Sequence, residues 1–217
     1  MSKGISENAS QTFNVNLIEG IQAKGNAIWI LVPLFGIIAF ILLYGVATCY
    51  YPGGSYSDFN SEGFSWVHNY WCNLLNHEAM NGQYNAAQPI ALTAMLVLCI
   101  SLAFFWILFP AFFNLKQLPK RIIQFSGVIS MTIAFFLFAD FNHDLITDFA
   151  SCFGIIASAG TIFILYKVKW YGLFRFGLLN IALVGLNNYL YFSENMIKYL
   201  PVVQKISFVS FLVWISF

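Results

Sequence analysis

The chain has 217 residues, of which 59% are hydrophobic and only 9% are charged, and its formal net charge is +1. A soluble domain carries about 25% charged residues, so this composition excludes an ordinary soluble domain and predicts that lipid surrounds the chain. The near-zero net charge also excludes the basic surface with which proteins bind nucleic acid.

The first 26 residues are polar and lack the short apolar core and small-residue cleavage site of a signal peptide. We predict that residues 1–26 form a cytoplasmic tail with one short amphipathic turn. Residues 27–217 contain no internal repeat and no low-complexity linker, so they are predicted to form a single membrane domain.

Six apolar segments follow the tail, and each is close to the length of about 20 residues that a transmembrane helix needs. The sequence therefore predicts an all-α, multi-pass membrane protein built as a six-helix bundle. Pro89 lies where a proline suits the first turn of the second span. The predicted spans are 27–49, 87–113, 121–140, 145–167, 170–192 and 196–217.

The sixth span is the least regular, because Gln204 and Lys205 fall inside it. Lys205 comes about ten residues after the predicted start of the span, near mid-membrane, where a charge is costly. Three interpretations remain open. The ammonium pairs with an acidic side chain, it snorkels toward the membrane surface, or the span begins later than residue 196.

The basic residues lie on alternate connections. The tail holds two, the connection at 114–121 holds three and the connection at 167–175 holds three, which makes eight of the ten. By the positive-inside rule these connections face the cytoplasm, and both termini lie there as well. The remaining connections, with all three histidines, then face outward. The amino-acid usage suggests a bacterial source, so we predict the bacterial inner membrane.

The longest outward connection, 50–86, opens with a Pro-Gly-Gly turn signal. It continues as "GFSWVHNYWCNLLNHEAM", in which Phe64, Val67, Trp71 and Leu74 recur at helical spacing. An apolar stripe rich in aromatic residues is typical of a helix that lies in the membrane interface. We therefore predict an outer-face interfacial amphipathic helix over 63–79.

Two of the four cysteines are predicted on the outer side, Cys49 at the end of the first span and Cys72 on the interfacial helix. This compartment permits a disulfide between them. Pairing requires Cα atoms within about 7 Å, which needs the helix to fold back over the first span. Two free, partly buried thiols are the alternative.

The turn between the third and fourth spans, "FADFNHDLITD" at 138–148, concentrates ionisable side chains between two apolar segments. Its three aspartates, Asp140 and Asp144 among them, are four residues apart and would share a face if a helix continued through the turn. Such carboxylates repel one another unless a cation is close. His143, with His68 or His77 from the interfacial helix, adds ligands that suit zinc, manganese or another divalent ion.

Three interpretations of this turn remain open. It is a solvated polar turn in which Asp144 caps the fourth span, a functional His/Asp site, or a purely structural ion site. In the functional interpretation His143, Asp140 and Asp144 are catalytic, and His143, Asp140 and His68 hold the metal. No H-E-x-x-H or other closed ligand pattern accompanies them.

The fifth span carries three asparagines, Asn180, Asn187 and Asn188. Polar residues inside membrane helices usually face the interior of the bundle. They either form hydrogen bonds between helices or line a polar cavity that opens outward. Ser126 and Ser130 on the third span are interpreted as packing residues.

Six spans, a "YPGG" turn after the first and "FNHD" at the start of the fourth resemble the six-helix bacterial membrane proteins of domain of unknown function 998. The resemblance covers most of the chain and implies the same six-helix architecture. It points to Pro52, His143, Asp140 and Asp144 as positions of interest, but it implies no activity. The segment 62–85 is longer and more aromatic than the outline of that family.

Three functional hypotheses follow. The first is a membrane-embedded enzyme of the outer leaflet, in which a divalent ion activates water to hydrolyse a lipid or an amide. The second is a non-catalytic accessory or lipid-sensing subunit, whose partners are membrane lipid and another membrane protein. The third is a small transporter whose path the asparagines line, although repeats and broken helices, which are typical of transporters, are absent from the sequence.

Overall fold

The structure is a computed structural model that describes the backbone of residues 27–136 and 143–217, with the side chains of 29–136 and 145–217. This part of the chain contains no strand, only two isolated bridges, Gly53 to Glu62 and Glu78 to Tyr84. The prediction of an all-α chain is confirmed. Its α-helices are α1 (Val32–Cys49), α2 (Gln88–Leu108), α3 (Gln117–Phe135), α4 (His143–Lys167), α5 (Tyr171–Tyr191) and α6 (Leu200–Ser216).

Short 3₁₀ turns extend three of these helices. Ala27–Leu31 precedes α1, Phe109–Ala111 follows α2, and Ile197–Tyr199 precedes α6. Five segments are then long and apolar enough to cross a membrane, which supports an integral membrane protein. They are Trp29–Cys49, Gln88–Ala111, Leu145–Lys167, Tyr171–Tyr191 and Ile197–Ser216.

The helix α3 is the one described α-helix that is not apolar enough to be a candidate span. It begins with polar and charged residues, including Lys120 and Arg121. The described part of the chain therefore contains five candidate spans, one fewer than the six expected from the sequence.

Each α-helix packs against the next one in the chain, and the last helix, α6, also contacts the first helix, α1. Small residues let the backbones approach, as is usual in membrane bundles. Gly36 of α1 faces Ser101 of α2, and Gly127 of α3 faces the ring of Trp106, so a Cβ at either glycine would overlap its neighbour.

The cap, which we define as residues 50–87, joins α1 to α2 and covers one end of the bundle. An aromatic cluster anchors it: the Trp71 ring lies 4.8 Å from Tyr44 of α1 and 5.3 Å from Phe208 of α6, centroid to centroid. The Tyr44 hydroxyl also donates to the Trp71 carbonyl, at 2.8 Å. The cap is therefore packed into the bundle and is not a loose loop.

The predicted interfacial helix over 63–79 is wrong, since this stretch contains only a 3₁₀ turn, Trp71–Leu75. Asn69 and Asn73 are buried in this stretch, and their side chains bond to nearby backbone. Asn69 Oδ1 accepts from the Ser65 amide at 2.8 Å, and Asn73 Oδ1 accepts from the Tyr70 amide at 2.6 Å. Local side-chain bonds of this kind compete with helix formation.

The Pro-Gly-Gly turn is the centre of the cap. Gly53 and Gly54 have φ angles of +146° and +81°, which disfavour any side chain. The Gly54 amide donates to the Ser61 carbonyl at 2.7 Å, and a Cβ on Gly54 would overlap the backbone of Asn81. The motif that suggested a family resemblance therefore has a structural role in this chain.

Candidate functional site

The predicted His/Asp site falls at the edge of the described chain. Asp140 lies outside the described residues, and His143 and Asp144 are described only as the first backbone positions of α4. On the cap, His68 and His77 are both exposed, and His77 packs edge-on against Tyr84. No group of three metal-ligating side chains forms among the described residues, and the His/Asp site stays a prediction.

The three asparagines of α5 have different surroundings. Asn187 donates to the Ser207 hydroxyl of α6, which is the interhelical hydrogen bond that one interpretation expected. Asn180 is 6% exposed and donates to the Phe176 carbonyl of its own helix at 3.0 Å. Asn188 is exposed and donates to the Val184 carbonyl at 3.0 Å. The interpretation that the three asparagines line a polar cavity stays a prediction.

Cys49 and Cys72 are free thiols, so the disulfide considered from the sequence is not formed. Cys49 is exposed at the end of α1, where its thiol lies 3.8 Å from the Gly45 carbonyl. Cys72 lies within the cap beside Tyr44 and Lys205. Burial raises the pKa of the Cys72 thiol, and the nearby Lys205 ammonium opposes this only in part.

Lys205 is a buried cation at the cap end of the bundle, with 8% of its surface exposed. It is the sixth residue of α6, about 8 Å along that helix, and the ninth of the 20 residues of the candidate span Ile197–Ser216, so it lies near mid-span. Its ammonium donates to the Pro201 carbonyl at 2.9 Å and to the Asn69 carbonyl of the cap. It also lies 5.8 Å from the centroid of the Phe64 ring.

These contacts match neither pairing with an acid nor snorkelling to the membrane surface. The ammonium is buried, and among the side chains described at 29–136 and 145–217 it forms no ion pair with a carboxylate. An ammonium removed from water needs acceptors, and here backbone carbonyls and an aromatic face supply them. The sequence showed the charge but gave no sign of these partners.

Asn69, whose carbonyl accepts the hydrogen bond from Lys205, also forms hydrogen bonds within the cap. Asn69 is fully buried, and its side-chain amide donates to the Gly54 carbonyl at 2.8 Å. The same amide lies 3.5 Å from Asn73 Oδ1. Asn69 therefore links the Pro-Gly-Gly turn and the 3₁₀ turn to the cation of α6.

An apolar pocket of about 270 Å³ lies at the opposite end of the bundle, away from the cap. No ionisable side chain lines it. Its wall includes the Trp214 indole, which donates to the Leu173 carbonyl at 2.9 Å, and the Trp170 ring, which packs edge-on against Phe113 at 6.0 Å. The lining residues are Ile30, Leu31, Pro33, Leu34, Phe105, Leu108, Phe109, Phe112, Phe113, Thr161, Leu165, Trp170, Leu173, Trp214, Ile215, Ser216 and Phe217.

The rim of this pocket reaches the surface of the bundle. Leu31 and Phe217 are 43% and 81% exposed, whereas Leu165 at the wall is 2% exposed. The sequence did not predict the pocket, because apolar residues that line a cavity, fill a core or face lipid share one composition. The aromatic stretch "FFWILFPAFF" at 104–113 was the only local signal.

No protein-family model, no curated protein and no solved structure matches the chain. The resemblance to domain of unknown function 998 therefore stays a prediction.

Proposed function

We propose that the protein is a non-catalytic, lipid-sensing or accessory membrane protein that binds the acyl chain of a membrane lipid. The observation that carries this proposal is the apolar pocket of about 270 Å³. Ligand sites are typically concave, largely apolar and few in number, and this pocket has those properties with no group suited to acid–base or nucleophilic chemistry in its lining.

An acyl chain is the occupant that the surroundings favour. The pocket lies among helices long and apolar enough to span a bilayer, and exposed rim residues such as Leu31 connect it to the bundle surface. Hydrocarbon is the medium in contact with that surface. A tail leaving the bilayer for the pocket exchanges one apolar environment for another, so the close contacts with the Trp170 and Trp214 rings, and not burial from water, supply the affinity.

We further propose that α3 also crosses the membrane, which gives six spans in total. We propose that the membrane is a bacterial inner membrane and that both termini lie on its cytoplasmic side. The support is the bias of eight basic residues in ten toward alternate connections. In this orientation the cap faces outward and the pocket lies in the cytoplasmic half of the bilayer, where it would take a lipid of the inner leaflet.

The experiment is photo-crosslinking in nanodiscs that contain a phospholipid with a diazirine near the end of one acyl chain. Adducts mapped by mass spectrometry should concentrate on pocket residues such as Phe109 and Trp170. Leu173→Trp places a larger ring in the pocket and should remove these adducts. Leu179→Trp is the matched control on the same helix, because Leu179 is 52% exposed and does not line the pocket.

A uniform spread of adducts over the exposed helix faces, unchanged by Leu173→Trp, would refute the proposal. The Leu179→Trp variant should keep the pattern of the unmodified protein. If both variants lose the adducts equally, the loss reflects general disturbance of the bundle, and the pocket is then not the binding site.

A further inference from the structure

We infer that the cap is a lid that is hinged on α1 and α2 and closed onto α6 by Lys205. This inference concerns the cap end of the bundle and is independent of the lipid pocket. It rests on how differently the two sides of the cap are attached.

The attachment to α1 and α2 is extensive. The cap is continuous in the chain with both helices, and the Tyr44 hydroxyl of α1 donates to the Trp71 carbonyl at 2.8 Å. The Gln88 side chain of α2 donates to the Leu75 carbonyl at 3.1 Å. This side therefore has the covalent and hydrogen-bonded connections expected of a hinge.

The attachment to α6 is much narrower. In the part of the chain that the structure describes, Lys205 makes the only hydrogen bond from α5 or α6 to the cap, and its acceptor is the Asn69 carbonyl. The Trp71 ring adds an apolar contact with Phe208. The Lys205 ammonium, which also lies 5.8 Å from the centroid of the Phe64 ring, and the pair of rings therefore help to close this edge.

The hydrogen bond from Lys205 to Asn69 is of a kind that can break and re-form. A hydrogen bond from a charged donor is stronger than a neutral one, so opening of the cap would leave the ammonium with the Pro201 carbonyl of its own helix, because Asn69 and Phe64 both belong to the cap. The bond is nevertheless to a carbonyl and not to a carboxylate. It can therefore exchange for water without separating a buried ion pair.

Asn69 connects Lys205 to the rest of the cap. Its buried side chain bonds to Gly54 and Ser65, which lie on two different segments of the cap. Release of the Asn69 carbonyl would therefore weaken the α6 edge, which the contact between Trp71 and Phe208 still holds in part, while the α1 and α2 side keeps its bonds. Such partial openings are common where few contacts hold a segment.

Cys72 is a native reporter of this opening, because its thiol is partly buried beside Lys205. The test uses the full chain in nanodiscs with Cys49, Cys99 and Cys152 replaced by Ser, and follows the reaction of Cys72 with a charged, water-soluble maleimide. Lys205→Met removes the charge and keeps the length of the side chain. It should raise the labelling rate, corrected for the thiolate fraction of Cys72 in each variant, by about tenfold or more, because the closed state loses its bond to Asn69.

Two control variants separate the lid from general loosening. Lys198→Met removes an exposed lysine just before the same helix and should leave the rate unchanged. Lys205→Arg keeps a cationic donor and should label more slowly than Lys205→Met. A parallel chain in which Cys99 is the only cysteine reports on global unfolding, because Cys99 is 7% exposed within α2, and its labelling should not change.

An unchanged Cys72 rate in Lys205→Met would overturn the inference, and so would equal acceleration at Cys99. Should Lys205→Met not fold, hydrogen exchange on the unmodified protein gives the decision. The Asn69 amide, near α6, should exchange faster than the Asn85 amide, which is next to α2 and donates to the His77 carbonyl at 3.0 Å. Exchange of both amides in one common step would show that the cap has no hinge.

Discussion

The ammonium of Lys205 in the last helix donates a hydrogen bond to the backbone carbonyl of Asn69, 136 positions earlier in the chain. A lysine inside a membrane span is expected to pair with an acid or to reach water. Here the cation instead reaches the carbonyl of a folded cap. This contact explains both how α6 accommodates a charge and why the cap rests on α6.

The first prediction concerns Asn85, which is fully buried. Its side-chain amide donates to the backbone carbonyls of Asn73, Leu74 and Asn76, at 3.2, 3.2 and 2.8 Å. Asn85→Ala leaves these carbonyls without that donor, so we expect a loss of about 2–3 kcal/mol in the free energy of unfolding. Denaturant titration in detergent would measure it. Asn60→Ala, at an exposed position, should differ little from the unmodified protein.

The helices could be predicted from the sequence, and the cap could not. Long apolar runs between polar connections place helices without knowledge of their partners, and for this reason the predicted and observed boundaries differ by only a few residues. The cap depends on contacts between distant positions. The spacing of Phe64 and Trp71 fits a helix, but the buried side chain of Asn69 bonds to Gly54, which no local pattern records.

The candidate sites also depend on contacts between distant positions, which a local sequence pattern does not reveal. The pattern at Lys205 revealed a charge in an apolar segment, but its acceptors lie on the cap and on the preceding helical turn. The pocket is formed by residues from five helices, among them Phe109 and Trp214, and each alone is an ordinary apolar residue of a span. Only the packing of the helices shows which of them surround empty space.

The second prediction tests the Pro-Gly-Gly turn. Gly54 has φ +81°, and a Cβ there would also overlap the backbone of Asn81. Gly63 has φ +67°, but a Cβ there would meet open space. Gly63→Ala should therefore cost about 1–2 kcal/mol of unfolding free energy, the ordinary strain of a left-handed residue. Gly54→Ala should cost more. Equal unfolding midpoints for the two variants would show that the Asn81 backbone moves aside easily.

The third prediction concerns the histidine turn, whose ligand set includes Asp140, outside the described residues. If this turn binds a divalent ion, purified protein will contain near-stoichiometric metal by elemental analysis, and His143→Ala will lose it, because neutral imidazole is a strong ligand. Asp58→Ala is the control, since Asp58 is exposed on the cap and its carboxylate accepts from the Asn60 amide at 2.9 Å. A metal content near zero before mutation would exclude the hydrolase hypothesis in its metal-assisted form.

The last prediction concerns orientation, which decides the leaflet that supplies the pocket. Ser57 is exposed on the cap, and Gln117 is exposed at the start of α3, one full helix away along α2. The two positions therefore lie at opposite ends of the bundle, and the positive-inside rule places Gln117 in the cytoplasm. In a background without native cysteines, Ser57→Cys should react with an impermeant maleimide in intact cells, whereas Gln117→Cys should react only after permeabilisation. Labelling of Gln117→Cys in sealed cells would invert the topology and assign the pocket to the outer leaflet.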